Sequence, residues 1–305
     1  MGRMRAWCTG VNWKGKSMKK VVVFLFAALT GTNLMAKTLH VDLNSTNSIA
    51  PYDSRETAAT DIQTAVNAAV SGDTVLVWDG HYLLSSEITV SKAITVQSAN
   101  GPETTIVDGQ GTVRCFNLGN SVCVLEGLTI TNGYDSVGGG GIFCSGRIPM
   151  VANCILSGNS AEWGGGMYYG TANNCTISGN SASEYGGGMY YGTANNCTIS
   201  GNSANYGGGM VEGTANNCTI TGNSASEDGG GMYGGMVNNC TLSGNSAAKR
   251  GGGMYYGTAN NCIISGNSAN SGGGIYYGTA KNCIVYFNTS PTGNDLYDTT
   301  ASYSC

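Results

Sequence analysis

From residue 150 onward, apolar and polar positions recur in a block that copies itself. The unit reads roughly NNCTISGNSAxxxGGGMYYGTA, with its Cys at 154, 175, 197, 218, 240, 262 and 283, spaced 21 or 22 residues apart. A repeat this short and regular predicts a solenoid. Within the unit TIS alternates apolar and polar residues and MYY is β-prone, while Gly and Asn fill the gaps. No stretch carries a sustained 3.6-residue period, which excludes the helical repeats, and the Leu offsets of leucine-rich repeats are missing. The pattern predicts an all-β, right-handed parallel β-helix of about ten coils, each coil a set of short strands joined by turns.

Comparing columns within this one chain assigns the faces. Two residues after the unvarying Cys stand Leu156, Ile177, Ile199, Ile220, Leu242, Ile264 and Val285. Residues two apart share a face of a strand, so this column and the Cys point inward together. The intervening Ile155, Thr176, Thr198, Thr219, Thr241, Ile263 and Ile284 then point outward. Met167, Met189, Met210, Met232, Met254 and Ile275 read as core, as do Val151, Ala172, Ala194, Ala215, Val237, Ala259 and Ala280. Asn159, Asn180, Asn202, Asn223, Asn245, Asn267 and Asn288 form another column. Stacked about 4.8 Å apart, their amides are expected to hydrogen-bond in a ladder. The triple Gly is expected at a turn needing positive φ or close approach between coils.

Ahead of the repeats the pattern changes. Thr60-Asp61-Ile62-Gln63 fits a capping box, and Ile62, Val66, Ala69 and Val70 line one side of a short helix that Gly72 can end. Such a helix would cover the core exposed at one end of a solenoid. Strands are predicted near residues 74–78, 87–96, 104–107 and 122–131. Further upstream, Lys19 and Lys20 precede the apolar run VVVFLFAALT, and Ala36 follows at a small-residue cleavage point. This reads as a secretory signal, too short for a membrane span. The expected organisation is a signal and extension over 1–36, a leader over 37–60, cap and first coils over 61–150, regular repeats over 151–290, and a truncated tail over 291–305.

Composition follows from the repeat. The 305 residues include 49 Gly and 12 Cys, and only 10% are charged. Removing residues 1–36 leaves 8 basic and 18 acidic residues, a net charge of −10. No basic patch remains for a phosphate backbone, so nucleic acid is not an expected partner.

The chemistry on offer is sparse. Between residues 150 and 285 the acids are Glu162, Glu184, Glu212, Glu227 and Asp228, all but Glu212 in the variable turn before the Gly triplet. Asp79, His81 and Asp108 sit in the first coils, in DGHY and DGQG turns. The Cys column reads as buried free thiols packing as small hydrophobes, and Cys115 with Cys123, or Cys305, as the better disulfide candidates. No cofactor, metal ligand or catalytic residue is assigned. Two outward rows stand out. Tyr168, Tyr190, Tyr233, Tyr255 and Tyr276 form an aromatic stripe broken by Val211, suited to stacking on sugar rings or on a protein partner. Thr176/Ser178, Thr198/Ser200, Thr219/Thr221 and Thr241/Ser243 form a flat hydroxyl array like that of ice-binding solenoids.

The passages IQTAVNAAVSGDTVLVWDGHY and ITVSKAITVQSANGPETTIVDGQG resemble the N-terminal entry of pectin-lyase-like right-handed β-helix proteins. GNSA followed by GGGMY resembles the GGAI and FxxN repeats of the polymorphic outer membrane protein family, with Met in place of Ile in most units. The resemblance implies an exported protein of the cell envelope, outer membrane surface or extracellular space. It would act as a non-catalytic stalk or adhesin binding glycans or surface proteins, associated with a membrane only through a C-terminal anchor. The alternative is a polysaccharide lyase or hydrolase working around Asp79, His81 and Asp108, and a minor one an ice-binding surface.

Overall fold

The computed structural model describes residues 35–119 and 121–302. The signal segment and Cys305 lie outside the described residues. The chain winds as a parallel β-helix of about ten coils, its strands stacked into faces of 12, 10 and 10 strands, with a fourth face of 5 strands confined to the middle coils. Every paired strand is parallel to the coil before it, in register on the first three faces and with one shift per pairing over Ser160–Asp228 of the fourth. The first face runs from Thr38–Val41 to Thr300–Ser302, the second from Gly80–Leu83 to Ile284–Tyr286, and the third from Ile88–Val90 to Leu296–Tyr297. The fourth runs from Ser160–Trp163 to Ser246–Ala247.

The predicted inward columns are the core. The Cys, Leu/Ile/Val, Met and Ala/Val columns are buried from coil to coil, and the Met column is fully so. Strands of two to five residues suffice because each is backed by an identical neighbour on both sides. The strands predicted over 87–96 and 122–131 each break in two, as Ile88–Val90 with Thr95–Ser98 and as Val124–Glu126 with Thr129–Thr131. In both cases a corner of the coil falls inside an unbroken β-prone run, so composition hides it.

The cap is a single helix, Ile62–Ala68, with Ile62, Ala65 and Val66 buried against the first coils. Its N-cap is Asp61, whose carboxylate accepts from Thr64 N at 2.8 Å and from Thr64 Oγ1 at 2.7 Å. Gln63 does not close a capping box. Its Oε1 accepts from Thr89 N at 2.7 Å and so ties the helix to the next coil. The helix ends at Ala68, ahead of Gly72, and Val70 lies half-exposed beyond it. Lys92 Nζ donates to the carbonyls of Val66, Asn67 and Ala69 at 2.7–3.0 Å, satisfying acceptors the last turn leaves open.

The Asn ladder forms as expected and is complete. Asn159 Nδ2 donates to Asn180 Oδ1 at 2.9 Å and to Ile130 O at 3.0 Å, and Asn180 Oδ1 also accepts from Asn159 N at 3.0 Å. The same three bonds recur through Asn180, Asn202, Asn223, Asn245 and Asn267. The ladder opens at Gly133 N, which donates to Asn159 Oδ1, and closes where Asn288 donates to the Asp295 carboxylate at 2.9 Å. Every amide is buried and saturated, so none carries the cost of an unpaired buried polar group.

The Gly triplet beside the ladder meets both expected demands. Gly164 has φ +61°, while a Cβ on Gly165 would sit 2.0 Å from Ser181 O. The second Asn of each NNC also has a conformational reason: Asn174, Asn196 and Asn217 hold φ near +54°, where Asn is among the few tolerated side chains.

Asn202→Ala removes the acceptor of Asn180 N and Asn180 Nδ2 together. At about 1–3 kcal/mol for each buried donor left unmade, the variant is expected to lose roughly 2–6 kcal/mol of stability, read by urea denaturation. Thr198→Ala, on the exposed face of the same coil, is expected to stay within about 0.5 kcal/mol.

Candidate binding face

The third face carries the aromatic residues. In each MYY the Met points into the core, the first Tyr points out, and the second turns the corner with positive φ, as at Tyr169 (+59°) and Tyr191 (+55°). In-register stacking brings the first tyrosines ring on ring. Phe143 stacks on Tyr168 at 5.1 Å, and Tyr168 on Tyr190 at 5.3 Å. Beyond the break, Tyr233 stacks on Tyr255 at 4.9 Å, Tyr255 on Tyr276 at 5.5 Å, and Tyr276 on Tyr297 at 4.7 Å.

Val211 interrupts this column, as the sequence shows, but not the aromatic surface. Tyr185 and Tyr206, from the fourth face, lie beside the gap. Tyr190 meets Tyr185 at 6.2 Å, Tyr185 meets Tyr206 at 5.0 Å, and Tyr206 meets Tyr233 at 5.6 Å. The rings thus run unbroken from Phe143 to Tyr297. Sequence reading missed Tyr185 and Tyr206, because they stand in the variable turn, where only coil stacking places them next to the stripe.

The stripe is not uniformly open. Tyr255 is only 7% exposed, lying under the guanidinium of Arg250 at 4.7 Å. Arg250 is fixed in turn by two bonds to the buried Asp228 carboxylate, at 2.9 and 2.7 Å. The accessible edge belongs to the second tyrosines, led by Tyr256 at 51% exposure, with Tyr277 beside it. They pack edge-on against the first column at 4.5–4.8 Å. Burial first, and neighbouring phenols second, push the Tyr168 and Tyr190 hydroxyls above their ordinary value, so both remain neutral hydrogen-bonding groups.

Of the acid and base candidates of the first coils, His81 and Asp108 come together and Asp79 does not. His81 Nε2 lies 2.8 Å from Asp108 Oδ2, which also accepts from Asn132 Nδ2 at 3.1 Å, while Asp108 Oδ1 accepts from Gln110 N at 2.7 Å. Asp79 instead accepts from Asn100 and Thr104, both at 2.9 Å, in a turn at the opposite end of the paired strands Gly80–Leu83 and Thr105–Asp108. Four residues of strand put the two carboxyls roughly 13 Å apart, beyond the separation at which two carboxylates flank one glycosidic bond.

A charged node absent from the sequence reading lies nearby. Arg114 reaches Glu87 at 2.7 Å, Asp135 at 2.8 Å and the carbonyls of Gly138 and Gly139, with Phe143 beneath its guanidinium. Four of its five N–H donors reach groups on neighbouring coils, so it pins coils together.

Cys115 and Cys123 are each buried and free, so the expected disulfide between them is not formed. The seven repeat cysteines are likewise not joined in disulfides, and each Sγ lies 3.1–3.3 Å from the carbonyl oxygen two residues before it, to which it donates. Among the described residues, no three of His, Cys, Asp and Glu converge as a metal site. In the hydroxyl row, Thr176, Thr198 and Thr219 are exposed and in register.

Comparison with known proteins places this geometry. A family model described as "Periplasmic copper-binding protein (NosD)" matches residues 66–289, most of the chain. No curated protein matches the chain. Among solved structures, the Dettilon tailspike protein superposes with a TM-score of 0.53 at 12% identity, covering 88% of this chain, which spans 62% of the tailspike. The pectate lyase Pel9A gives 0.49 at 14% identity, covering 90% of this chain and 79% of its own. The pectin methylesterase from Aspergillus niger gives 0.43 at 13% identity, covering 89% and 90%. At these identities the likeness is one of fold.

Asp108 supplies a pH test. Burial opposes its charge, but the bonds from Gln110 N, His81 and Asn132 hold its carboxyl below the ordinary value of 3.8. The unfolded chain therefore takes up the proton first. The stabilisation is full above the ordinary value and is lost as pH falls through the lower folded value. Asp108→Asn is expected to flatten the acid limb of stability below about pH 4, measured by denaturant titration from pH 6 to pH 2.5.

Proposed function

The chain belongs to the NosD family, and we propose that it is an exported, non-catalytic β-helix scaffold whose aromatic face binds an extended glycan or a surface protein. One observation carries the reading: an uninterrupted run of rings along the third face, edged by the exposed Tyr256 and Tyr277. Repeated flat rings at coil spacing suit a ligand that is itself repetitive, with a sugar face or an apolar strip for each coil or two. Export rests on the leader segment and agrees with the periplasmic setting in the family's description. A stalk-like or adhesive role in the cell envelope, and the kinship of the GNSA–GGGMY unit with polymorphic outer membrane protein repeats, are parts of the same proposal.

The His81–Asp108 pair favours a second reading, a polysaccharide lyase or hydrolase, because it is a hydrogen-bonded acid and base in the coils ahead of the repeats. Against it stand the distant Asp79 and the three hydrogen bonds that already hold the Asp108 carboxylate.

Copper in the family's description is a separate matter. The two histidines lie on different coils and each has a partner: His40 Nδ1 accepts from Trp78 Nε1 at 3.1 Å, and His81 holds Asp108. A three- or four-ligand copper centre does not fit the donors among the described residues, and the proposed role routes nothing through one.

Retention on immobilised polysaccharides and envelope extracts is expected to fall about tenfold or more for Tyr190→Ala combined with Tyr256→Ala, with the β spectrum unchanged. This corresponds to about 1.4 kcal/mol. Retention equal to the parent protein rejects the aromatic face. Turnover of any polysaccharide that Asp108→Ala abolishes replaces this reading with the enzymatic one.

A further inference from the structure

The open edge of the aromatic face breaks its pattern twice in succession. The second residues of the MYY corners stack as Tyr169, Tyr191, Glu212, Gly234, Tyr256 and Tyr277, each backbone N bonded to the coil that follows. The coil that puts Val211 in the first column puts Glu212 in the second, and the next coil has Gly234 there. Glu212 is exposed and holds the left-handed backbone of the tyrosines it replaces, at φ +48°. Its carboxylate lies over Gly234, where a Cβ would sit 2.5 Å from Glu212 Oε1. The two coil steps from Glu212 to Tyr256 span roughly 10 Å. The column therefore has a notch with a carboxylate on its floor and a tyrosine in line at either end.

Charge along the repeats is one-sided. Between residues 150 and 280 the cations are Lys249 and Arg250, and both are ion-paired, with Glu227 and Asp228. That leaves Glu162, Glu184 and Glu212 without a cation of the chain to meet them. The same face shows what a ring beside a carboxylate does with a cation. Arg114 lies over Phe143 at 5.0 Å with Glu87 and Asp135 as its counter-ions, and Arg250 over Tyr255 at 4.7 Å with Asp228. In both, the ring quadrupole and the carboxylate attract the same charge. The Glu212 notch repeats the anion among rings, and between residues 150 and 280 the chain has no cation left for it.

We propose that the Glu212 notch takes a protonated amine, and that its bearer is an amine-carrying polysaccharide lying along the third face. This rests on the aromatic face as the binding surface and names the ligand class it selects. The sugar faces lie on the tyrosines, and the ammonium group donates a charge-assisted hydrogen bond to the Glu212 carboxylate. A polyanionic glycan would bring its own carboxylates to Glu162, Glu184 and Glu212 with no free cation to meet them, and like charges across an interface reject a partner. An N-acetylated polymer keeps the stacking and loses the ion pair. A lysine-rich peptide offers the amine but no flat faces for the rings.

The probes are a soluble β-1,4-linked glucosamine oligomer, its N-acetylated counterpart, an oligogalacturonate and polylysine, each titrated calorimetrically into the folded chain at mildly acidic pH and low salt. The parent is expected to bind the glucosamine oligomer about tenfold more tightly than the N-acetylated one, and the oligogalacturonate not at all. Glu212→Gln is expected to abolish that preference while leaving the N-acetylated oligomer within about twofold. Gly234→Asn, a side chain tolerated at its φ of +72°, fills the notch from the next coil and is expected to abolish the preference as well. Glu103→Gln, at an exposed acid of the first coils, is expected to leave it intact. Equal binding of the two glucosamine polymers, or a preference that survives Glu212→Gln, overturns the notch and leaves the aromatic face standing. Polylysine bound as tightly as the glucosamine oligomer, with the same dependence on Glu212, overturns the polysaccharide as its ligand. Binding of none of the four overturns the notch, and the Tyr190→Ala and Tyr256→Ala retention assay then decides the aromatic face separately.

Discussion

In a parallel β-helix wound in register, every side chain has as its nearest neighbours the residues at the same position one coil above and one coil below. Whatever occupies a column must tolerate itself at about 4.8 Å. The Asn159–Asn288 ladder is the strictest answer to that demand. An amide both donates and accepts, so a file of identical amides satisfies itself, and each also donates to a backbone carbonyl of the coil before. Seven polar side chains are thus buried beside the Gly triplet corner, and they fix which coil position faces which. A shift of one residue would break every rung.

The same demand sets where charge can stand. Identical carboxylates in successive coils would repel, and charges come instead in complementary steps. Asp228 is followed one coil on by Arg250, and Glu227 by Lys249. The guanidinium then carries on the stacking by lying over Tyr255 and Tyr276. The aromatic face obeys the rule in a different way. Where Val211 breaks the column, rings from the adjoining face close the path, because the turn that brings Tyr185 and Tyr206 there is itself stacked coil on coil.

Much of this was legible in the sequence because repetition turns one chain into its own alignment. The Cys, Met, Asn and Leu/Ile/Val columns, their inward direction and the ladder follow from spacing and alternation alone. Less legible were the features that depend on a single copy. The helix cap rests on Asp61 and Lys92, not on a Thr60–Gln63 box, since Gln63 is drawn to the backbone of Thr89. The break in each predicted long strand falls at a corner that β-prone residues line on both sides. At the candidate sites, the tyrosine column was readable but not its exposure. Tyr255 lies under an arginine from the turn before it, and the open edge belongs to Tyr256 and Tyr277, whose place at a corner shows only in the left-handed backbone. Asp79, His81 and Asp108 look adjacent in composition, yet strand register sets Asp79 apart from the other two.

Function follows from the same economy. A coil repeated with little variation offers a repeated surface, here the run of aromatic rings along the third face. That surface depends on the amide ladder holding register, so the most direct test reads the ladder itself. In ¹⁵N-labelled protein, the side-chain NH₂ groups of Asn159, Asn180, Asn202, Asn223, Asn245, Asn267 and Asn288 are predicted to exchange with solvent as slowly as the core backbone amides. Exchange of these groups at the rate of exposed asparagines would contradict the stacking on which the rest of the structure depends.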